Sequence, residues 1–407
     1  MPKVVQINPA VNFSSTGRIV EQIGKCAIDR GWTCYVAHGA RYAKPSELKD
    51  IHIESKLSER VHAIYSMLFD AQGLGSYYST KRLARFLKKE RPDIIHLHNI
   101  HGYYLNYPVL FEYIKEEQPQ VVWTIHDSWA YTGHCVAYEP IACEKWKTGC
   151  NHCPIKHSYP YSLFLDRSRQ NYDRKKRAFT SAEKMTIVPV SDFLVRDMAQ
   201  SFLGNYPFHR IYSGIDTSVF KPTESSIRKE LGLEDKFVIL GVASGWGKEG
   251  RMTGFLKLRE LLDNNYHIVL VGLTTEQISN MPQGITGLPP TPNREELAKI
   301  YTMADVFLNP TLQDTFGLTS VEAQSCGTPS IVYRTGGAPE TVDETTGIVV
   351  EKNDIDALKE AVLTIQEVLK DEDDKRFKTG TCCERAVRLF EQNDRFNEYI
   401  DLYESLI

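Results

Sequence analysis

The sequence lacks the long apolar runs that membrane-spanning helices need. Its longest candidates, FVILGVA and HIVLVGL, have the length of β-strands, whereas a helix that crosses a bilayer takes about 18–20 apolar residues. The N-terminal MPKVVQINPAV has no basic region followed by a long apolar run, and short repeats and low-complexity segments are missing as well. We therefore expect a cytoplasmic, globular protein without a secretory signal.

An excess of charge of one sign is also missing. The 48 Lys and Arg residues nearly balance the 52 Asp and Glu residues, and the net charge is −4. This balance argues against a nucleic-acid partner, including one bound through a zinc knuckle. Hydrophobic residues make up 42% of the chain, which provides enough apolar surface for packed cores and excludes a disordered protein.

With 407 residues the chain is too long for one ordinary domain, and about 150 residues per domain predict two or three. Short β-branched runs alternate with amphipathic stretches of helical length, and this pattern restarts after residue 220. Nearly continuous apolar strands are typical of parallel sheets covered on both faces. We therefore expect an α/β protein with two Rossmann-like, doubly wound domains that face each other across a cleft. The predicted strands are 3–8, 34–38, 93–98, 121–126, 185–190, 237–243, 267–272, 305–310 and 329–333.

The join between the two halves is SGIDTSVFKPTESS at 213–226, which is rich in turn formers and contains a proline. Such a composition is typical of a linker. It separates a predicted first domain over 1–212, with a cysteine-rich loop at 134–154, from a second over 227–385. We expect the last segment, 386–407, to form a helix that packs back toward the first domain.

The most informative stretch is LNPTLQDTFGLTSVEAQSCGTP at 308–329. A predicted strand ends, a loop carries Asp314, and Gly317 opens a helix on which Glu322 lies. Backbone N–H groups at the start of this helix suit phosphate, and the two carboxylates suit hydrogen bonds from sugar hydroxyls. For either acid alone, a capped helix with a solvated glutamate would be the favoured interpretation.

Taken together, the motifs resemble glycosyltransferase family 4, a family of retaining, metal-independent sugar transferases with the GT-B fold. The resemblance runs from one end of the chain to the other. It implies that the second domain holds a nucleotide-diphosphate sugar and that the first holds the acceptor. The motifs that carry it are STGR (15–18), TIHD (124–127), VSDF (190–193), IYSGIDTSVFKP (211–222), DTFGLTSVE (314–322), SCGTP (325–329) and TGGAPE (335–340).

The resemblance also implies roles for individual residues. Asp314 would meet the transferred sugar and Glu322 the nucleotide ribose, with the helix N-terminus between them facing the phosphates. The family usually has Glu as the first acid, so Asp314 implies a shifted sugar contact. His126, at the end of VVWTI, matches the family histidine that faces the transferred sugar, although a strand-end histidine also suits packing. The donor-binding candidates are Gly17, Lys248, Arg251, Thr315, Phe316, Gly317, Leu318 and Thr319.

The second domain departs from the family where an Arg and a Lys usually grip the diphosphate. Gly245 and Gly250 occupy those two positions. Lys248 and Arg251 lie close by, and they are either replacements for the missing cations or surface residues of a glycine-rich loop. The alternative function is therefore a non-catalytic glycan-assembly partner. TGGAPE and DTFGLTSVE argue against a third possibility, a nucleotide-sugar epimerase of the same fold.

The loop at 134–154 contains the pattern C-x7-C-x6-C-x2-C. Four thiols so close in sequence suit a tetrahedral structural zinc, since disulfides are rare in the cytoplasm, and unligated packing cysteines are the alternative. The loop, with its WKTGC core, resembles a branch of family 4 that builds bacterial exopolysaccharides and O-antigens, including the colanic acid pathway. The candidate metal ligands are Cys135, Cys143, Cys150 and Cys153.

The run RSRQNYDRKKR at 167–177 holds six cations and one acid. It suits either a solvated helix face or contact with anionic lipid or with the diphosphate of a polyprenyl-linked acceptor. The expected partners are thus a nucleotide-sugar donor and a glycan or polyprenyl-diphosphate-linked glycan acceptor, with peripheral contact at the cytoplasmic face of the inner membrane. No catalytic metal is implied.

Overall fold

The structure, a computed structural model, describes residues 1–246 and 251–407. It divides into two compact units, one formed by 1–212 together with 393–407 and the other by 213–392. Over the described residues, each unit contains one parallel sheet of six strands with helices in the connections between them. The α/β class that the alternating sequence pattern predicts is confirmed.

The first unit begins with a strand and alternates strands with helices. Short 3₁₀ turns occur within its long connection from β5 to α5. The strands are β1 (Lys3–Val11), β2 (Thr33–Ala43), β3 (Lys49–His52), β4 (Ile94–Leu97), β5 (Gln120–Ile125) and β6 (Met185–Pro189). The helices are α1 (Ser14–Asp29), α2 (Lys56–Phe69), α3 (Tyr77–Glu90), α4 (Tyr107–Glu117), α5 (Ser168–Phe179) and α6 (Asp192–Gln200).

The second unit repeats this alternation with shorter helices. Its strands are β7 (Phe237–Val242), β8 (Tyr266–Val271), β9 (Ile285–Leu288), β10 (Val306–Asn309), β11 (Ser330–Tyr333) and β12 (Gly347–Val350). Its helices are α7 (Ile227–Glu230), α8 (Arg251–Leu261), α9 (Thr275–Ser279), α10 (Arg294–Met303), α11 (Leu318–Ser325), α12 (Ile355–Lys370) and α13 (Thr379–Phe390). A final helix, α14 (Gln392–Leu406), follows.

The strand order places a switch point in each sheet. The first sheet has the order β3-β2-β1-β4-β5-β6 and the second β12-β11-β10-β7-β8-β9. Successive strands are therefore added toward one edge of the sheet on one side of the β1–β4 pair and toward the other edge on its other side. The same reversal of strand order occurs at the β7–β10 pair. Ligands of such sheets bind outside the carboxyl ends of the strands at these points. The loops after β1, β4, β7 and β10 are consequently the first places to examine.

Apolar continuity explains why the central strands were predictable. Every residue of β4, β6 and β10 is buried, as strands covered on both faces require. The strands β3, β9 and β12 were missed. The first of them, KDIH, is short and mostly exposed at a sheet edge, so it lacks the apolar run that identifies a buried strand.

Most of the final helix belongs to the core of the first unit. Tyr399 and Tyr403 of α14 are buried and pack in one cluster with β-strand residues such as Ile94 and Val122. Their hydroxyl groups contact the polar interior of the sheet, since Tyr403 lies 2.5 Å from His96 Nδ1. Among the described residues, we find no helix that combines the length and apolarity needed to cross a membrane.

Candidate functional site

The loop from β10 to α11 builds the candidate donor site of the second unit. Gly317 is the N-cap of α11 and adopts φ 97°, ψ 51°, a left-handed conformation that strains any residue with a Cβ. A Cβ at this position would also meet Thr341 Cγ2 at 3.4 Å and Asp314 Oδ2 at 3.6 Å. The glycine therefore allows the chain to turn into the helix while the Asp314 carboxylate stays beside the turn.

Asp314 is half-buried and is held by the backbone around it. Its Oδ1 accepts a hydrogen bond from the Phe316 N–H at 3.2 Å, and its own carbonyl accepts one from the Gly337 N–H at 2.9 Å. The second bond joins the DTFGLTSVE and TGGAPE segments. Burial raises the pKa of Asp314, although the Phe316 N–H and the charge of Arg251 act in the opposite direction. A carboxylate offers about four lone-pair directions, so further donors have room to bind.

Glu322 lies one turn into α11 and receives a partner from another helix. The buried Tyr301 hydroxyl, on α10, donates to Glu322 Oε2 at 3.0 Å. Burial, together with the adjacent carboxylate, raises the pKa of Tyr301 well above its usual range, so the phenol stays protonated as a donor. Sequence reasoning missed Tyr301, because a tyrosine in an amphipathic helix looks like a core residue and nothing local connects it to Glu322.

Arg251 begins α8, on the other side of the switch point, and lies close to the Asp314 loop. Its Nη2 donates to Thr311 Oγ1 at 2.8 Å, and its charge acts on the Asp314 carboxyl. The structure thus brings Arg251 to the strand end that carries the acid. Lys248 and Gly250 lie outside the described residues. At Gly245 an added Cβ would meet nothing within 4 Å, so packing does not require a glycine there.

The remaining donor-side candidates follow Asp314 in sequence and share its loop and helix start. Phe316 is buried, with its ring 5.6 Å from that of Phe390. Its N–H already bonds to Asp314, so it is not among the N–H groups open to phosphate. The first N–H groups of an α-helix have no partner within the helix, which leaves those of Leu318 and Thr319 to face a ligand. Thr315 is half-buried in the loop.

In the first unit, His126 ends β5 and belongs to a chain of buried polar groups. His98 Nε2 lies 3.1 Å from Gln6 Oε1, and His98 Nδ1 lies 3.2 Å from His126 Nε2. The amide nitrogen of Gln6 donates to the Val20 carbonyl at 2.9 Å, which leaves its oxygen for His98. Burial lowers the pKa of His126 to about 4 and that of His98 well below its usual range, so both rings are neutral near pH 7.

The directions of the hydrogen bonds from Gln6 through His98 determine the tautomer of His126. The Gln6 oxygen can only accept, so His98 Nε2 carries a proton and its Nδ1 carries a lone pair. That lone pair must accept from His126, whose Nε2 is therefore protonated and whose Nδ1 is an acceptor. The ring is thereby oriented as a neutral hydrogen-bonding group.

Two further histidines of the first unit have different partners. His96 is a buried core residue between Tyr403 and Thr124, whose Oγ1 lies 2.7 Å from His96 Nε2. His101 Nε2 lies 2.7 Å from Asp127 Oδ2. Burial disfavours ionisation of Asp127, but the interaction with His101 and the Trp129 N–H outweigh it, so the pKa of Asp127 is lowered.

A cavity of about 340 Å³ opens within the first unit at the carboxyl end of β1. Aromatic and cationic side chains dominate its wall, in addition to backbone from the start of α1. This wall includes Phe13, Arg41, Tyr42, His101, Tyr103 and Tyr159. Gly17 lies nearby, in the first turn of α1, where an added Cβ would come 3.2 Å from Ala10 Cβ. Its small size thus lets α1 start close against β1.

The cysteine loop gathers its four thiols around one small cavity of about 20 Å³ in the first unit. All four cysteines are free, and Cys150 Sγ accepts a hydrogen bond from the Gly133 N–H at 3.1 Å. His134 also lines the cavity, and its Nδ1 lies 2.7 Å from the buried Asp70 carboxylate. Over residues 1–246 and 251–407, however, no three of these ligand atoms lie within 4.8 Å of one another. The zinc site therefore stays a prediction.

The basic run at 167–177 forms α5 and its N-terminal boundary, and its cations do not share one face. Lys175 is buried, donates to the carbonyls of Trp129 and Thr132 at 2.7 and 3.0 Å, and lies 3.4 Å above the Trp129 ring. Burial lowers its pKa to about 7. This lysine ties the segment just before the cysteine loop to the helix, so the surface charge of the run is smaller than its sequence suggests.

Two family models match the chain. Residues 16–219 match the model described as Glycosyltransferase Family 4, and residues 237–367 match the one described as Glycosyl transferases group 1. The first match covers half of the chain and the strands β2 to β6 of the first sheet. The second covers the Asp314 loop, α11 and Glu322.

A relative and two solved structures agree with these matches. WcaC of Escherichia coli (strain K12), whose name describes a colanic acid biosynthesis glycosyl transferase, is 26% identical to this chain over 327 residues. The match covers 77% of each chain. Sucrose-phosphate synthase from Thermosynechococcus elongatus has a TM-score of 0.72 at 18% identity and covers 100% of this chain and 99% of its own. Anabaena Alr3699/HepE in complex with UDP-glucose has a TM-score of 0.65 at 14% identity, with both chains fully covered at 100%. The structural likenesses show the fold, and the predicted GT-B class is confirmed.

Proposed function

Since the chain belongs to glycosyltransferase family 4 and is a sugar-transferring enzyme, we propose that it moves a sugar from a nucleoside-diphosphate sugar to a glycan acceptor with retention of anomeric configuration. The single observation that carries this proposal is the strand-loop-helix of the second unit. There Asp314, the start of α11 and Glu322 follow one another within residues 314–322.

The donor is held through groups of two kinds. N–H groups of Leu318 and Thr319 at the start of α11 receive the diphosphate, because helix N-termini carry partial positive charge and unpaired donors. Asp314 accepts hydrogen bonds from hydroxyls of the transferred sugar. Glu322 accepts from the ribose hydroxyls, and the Tyr301 hydroxyl orients it from behind at 3.0 Å.

The chemical step depends on stabilising the leaving group. The bond from the anomeric carbon to the diphosphate oxygen breaks, and a bond from the acceptor oxygen forms on the same face. The acceptor's proton leaves with the diphosphate. Arg251, beside Asp314, and Lys248 supply positive charge for the diphosphate as its negative charge develops, and such charge stabilisation is worth several kcal/mol in other enzymes, about 2.7–4 per donor.

The acceptor belongs to the first unit in this proposal. Phe13, Tyr42, Tyr103 and Tyr159 line its 340 Å³ cavity, and aromatic faces suit the apolar faces of sugar rings. Arg41, on the same wall, suits an anionic acceptor group such as a lipid-linked diphosphate. The likeness to WcaC over 77% of each chain supports an acceptor of bacterial surface polysaccharide synthesis, assembled at the inner face of the membrane.

A binding panel tests the donor assignment. UDP-, GDP-, ADP- and TDP-sugars at millimolar concentration are added to the full chain, and the one that binds should raise the melting temperature by mass action. Glu322→Ala should reduce that rise, whereas Glu360→Ala, an exposed glutamate on α12 of the same unit, should not. If no nucleotide sugar shifts the wild type, the donor site is misassigned. Analysis of the product formed from the donor that binds then determines the anomeric configuration of the new glycosidic bond.

A second candidate, a non-catalytic glycan-assembly partner, is favoured by one observation. Gly245 stands where the family has an arginine, and space around it is open, so sterics do not explain the lost cation. If the site binds donor without turnover, Gly245→Arg should restore transfer. A wild type that turns over donor in the presence of acceptor excludes this candidate.

A further inference from the structure

Two neighbouring strands of the first sheet bring two histidines and an aspartate together at its edge. β2 and β3 are parallel partners in which His38 pairs with His52. Asp50 lies two residues before His52 on β3, so both side chains point to the same face of the sheet. Asp50 Oδ2 lies 3.2 Å from His52 Nε2 and 3.8 Å from His38 Nε2, and all three atoms lie within 4.8 Å of one another.

The hydrogen bond of His38 determines which of its nitrogens faces this cluster with a lone pair. Its Nδ1 lies 2.5 Å from the Gly39 carbonyl oxygen, and a carbonyl can only accept, so Nδ1 carries the proton. Nε2 of the neutral ring then carries a lone pair and no proton. It is buried, with the residue only 1% exposed, and within the described part of the chain it has no hydrogen-bond partner.

A lone pair that faces a carboxylate across 3.8 Å is electrostatically unfavourable, because both groups are acceptors. A buried acceptor without a partner destabilises the folded protein. A cation between Nε2 and the carboxylate would satisfy both at once. The bond from Nδ1–H to a backbone carbonyl is, moreover, the usual arrangement that orients a metal-binding histidine.

We infer that His38, Asp50 and His52 bind one divalent transition-metal ion of the zinc type, with water completing its coordination. Two imidazoles and one carboxylate are a common ligand set for such ions, whereas Ca²⁺ and Mg²⁺ take oxygen ligands. Metal–ligand bonds of about 2.0–2.1 Å in a tetrahedron separate ligand atoms by about 3.4 Å, close to the 3.2 and 3.8 Å observed. The ion does not take part in the proposed sugar transfer.

Metal binding at this site would have a structural consequence. β3 has four residues and lies at the edge of the sheet where, over the described residues, β2 is its one neighbouring strand. The ion would tie β3 to β2 just before β2 reaches Arg41 and Tyr42, which line the 340 Å³ cavity. The metal would therefore slow local opening of the edge strand.

Titration of the reduced full chain with Co²⁺ tests this inference. Cobalt bound by the cysteine loop shows an intense thiolate-to-metal charge-transfer band, whereas cobalt bound by imidazole and carboxylate shows only the weaker d–d bands. In a chain whose cysteine loop already holds its zinc, we expect about one further cobalt per chain without thiolate absorption. His52→Ala and Asp50→Asn should weaken its binding at least about tenfold, since even second-shell changes cost about 10- to 100-fold. His209→Ala, at another exposed histidine, should leave it unchanged.

Hydrogen exchange gives a second readout that does not depend on colour. Saturating Zn²⁺ should slow exchange of the β3 amides in the wild type and in His209→Ala, but not in His52→Ala. Asp50 and His52 are exposed, so these variants should fold, and their melting temperatures without metal provide the check. Equal cobalt affinity in wild type and His52→Ala, or cobalt binding only with thiolate absorption, would overturn the inference.

Discussion

Replacing Arg251 tests whether a cation of α8 has taken over the missing grip on the diphosphate. Its guanidinium bonds to Thr311 Oγ1 at 2.8 Å and acts on Asp314, so it stands at the strand end where the leaving group is expected. Loss of one such charge-assisted contact should cost about 2–4 kcal/mol in the transition state, which is about 30- to 1,000-fold in kcat. The donor's KM should change less, because the ground-state diphosphate keeps its helix N–H contacts.

The pH profile gives a second signature of Arg251→Ala. Burial raises the pKa of Asp314, and the charge of Arg251 opposes that rise. Removing the charge therefore raises the pKa of Asp314 further, and the ionised carboxylate is lost at a higher pH than in the wild type. The acid limb of the plot of kcat/KM against pH should therefore shift to higher pH in Arg251→Ala.

Steady-state and single-turnover assays with the donor found by thermal shift measure both effects. Arg251→Lys should recover part of kcat as a displaced point charge. Arg259→Ala, on the same helix but bonded to the Asp263 carbonyl at 3.0 Å, serves as the matched control. If Arg251→Ala and Lys248→Ala both keep near-wild-type kcat while Glu322→Ala is inactive, neither cation replaces the family pair and backbone groups carry the leaving-group charge.

Three further predictions concern single residues. Tyr301→Phe removes the donor that orients Glu322, and calorimetry should show nucleotide affinity reduced about tenfold, since a hydrogen bond to a charged group is worth about 1.5–3 kcal/mol. Gly317→Ala forces a Cβ into φ 97° and should lower the free energy of unfolding by about 1–3 kcal/mol in urea titrations. Elemental analysis of the wild type should find zinc bound at the cysteine loop, and Cys150→Ser should lose about one equivalent.

Matched controls separate these effects from general damage. Tyr266→Phe loses a bond to Gln366 at 2.6 Å in the same unit and should leave nucleotide affinity unchanged. Gly380→Ala, inside α13 with open space around it, should stabilise by about 0.5–1 kcal/mol, opposite in sign to Gly317→Ala. Cys383→Ser, outside the loop, should keep its zinc. Unchanged zinc content in Cys150→Ser, or freely titrating loop thiols, would contradict the metal prediction.

Local pattern was sufficient for the central strands and for the donor loop. Buried parallel strands such as β4 and β10 are apolar on both faces, so their composition identifies them without knowledge of neighbours. The turn at Gly317 and the spacing from Asp314 to Glu322 lie within one stretch of backbone. Turn chemistry and helix geometry, both local, therefore indicate their arrangement, and the family resemblance supplied their expected roles.

The local sequence pattern does not predict short strands at the edge of a sheet. β3 is four residues long and three of them are polar, and its pairing with β2 is what makes it a strand. Likewise, a lysine within a basic helix reads as solvated, yet Lys175 is buried against Trp129. In both cases the neighbours that decide the outcome come from other parts of the chain.

The two α/β halves, the family and the strand ends at which chemistry is expected can all be predicted from the amino-acid sequence. The side chains that meet at those strand ends are known only from the folded chain. The Tyr301 hydroxyl reaches Glu322 across 21 positions, His98 reaches His126 across 28, and the register of β2 with β3 alone brings His38 to His52. Periodicity and spacing act over one element, whereas these contacts arise when separate elements pack.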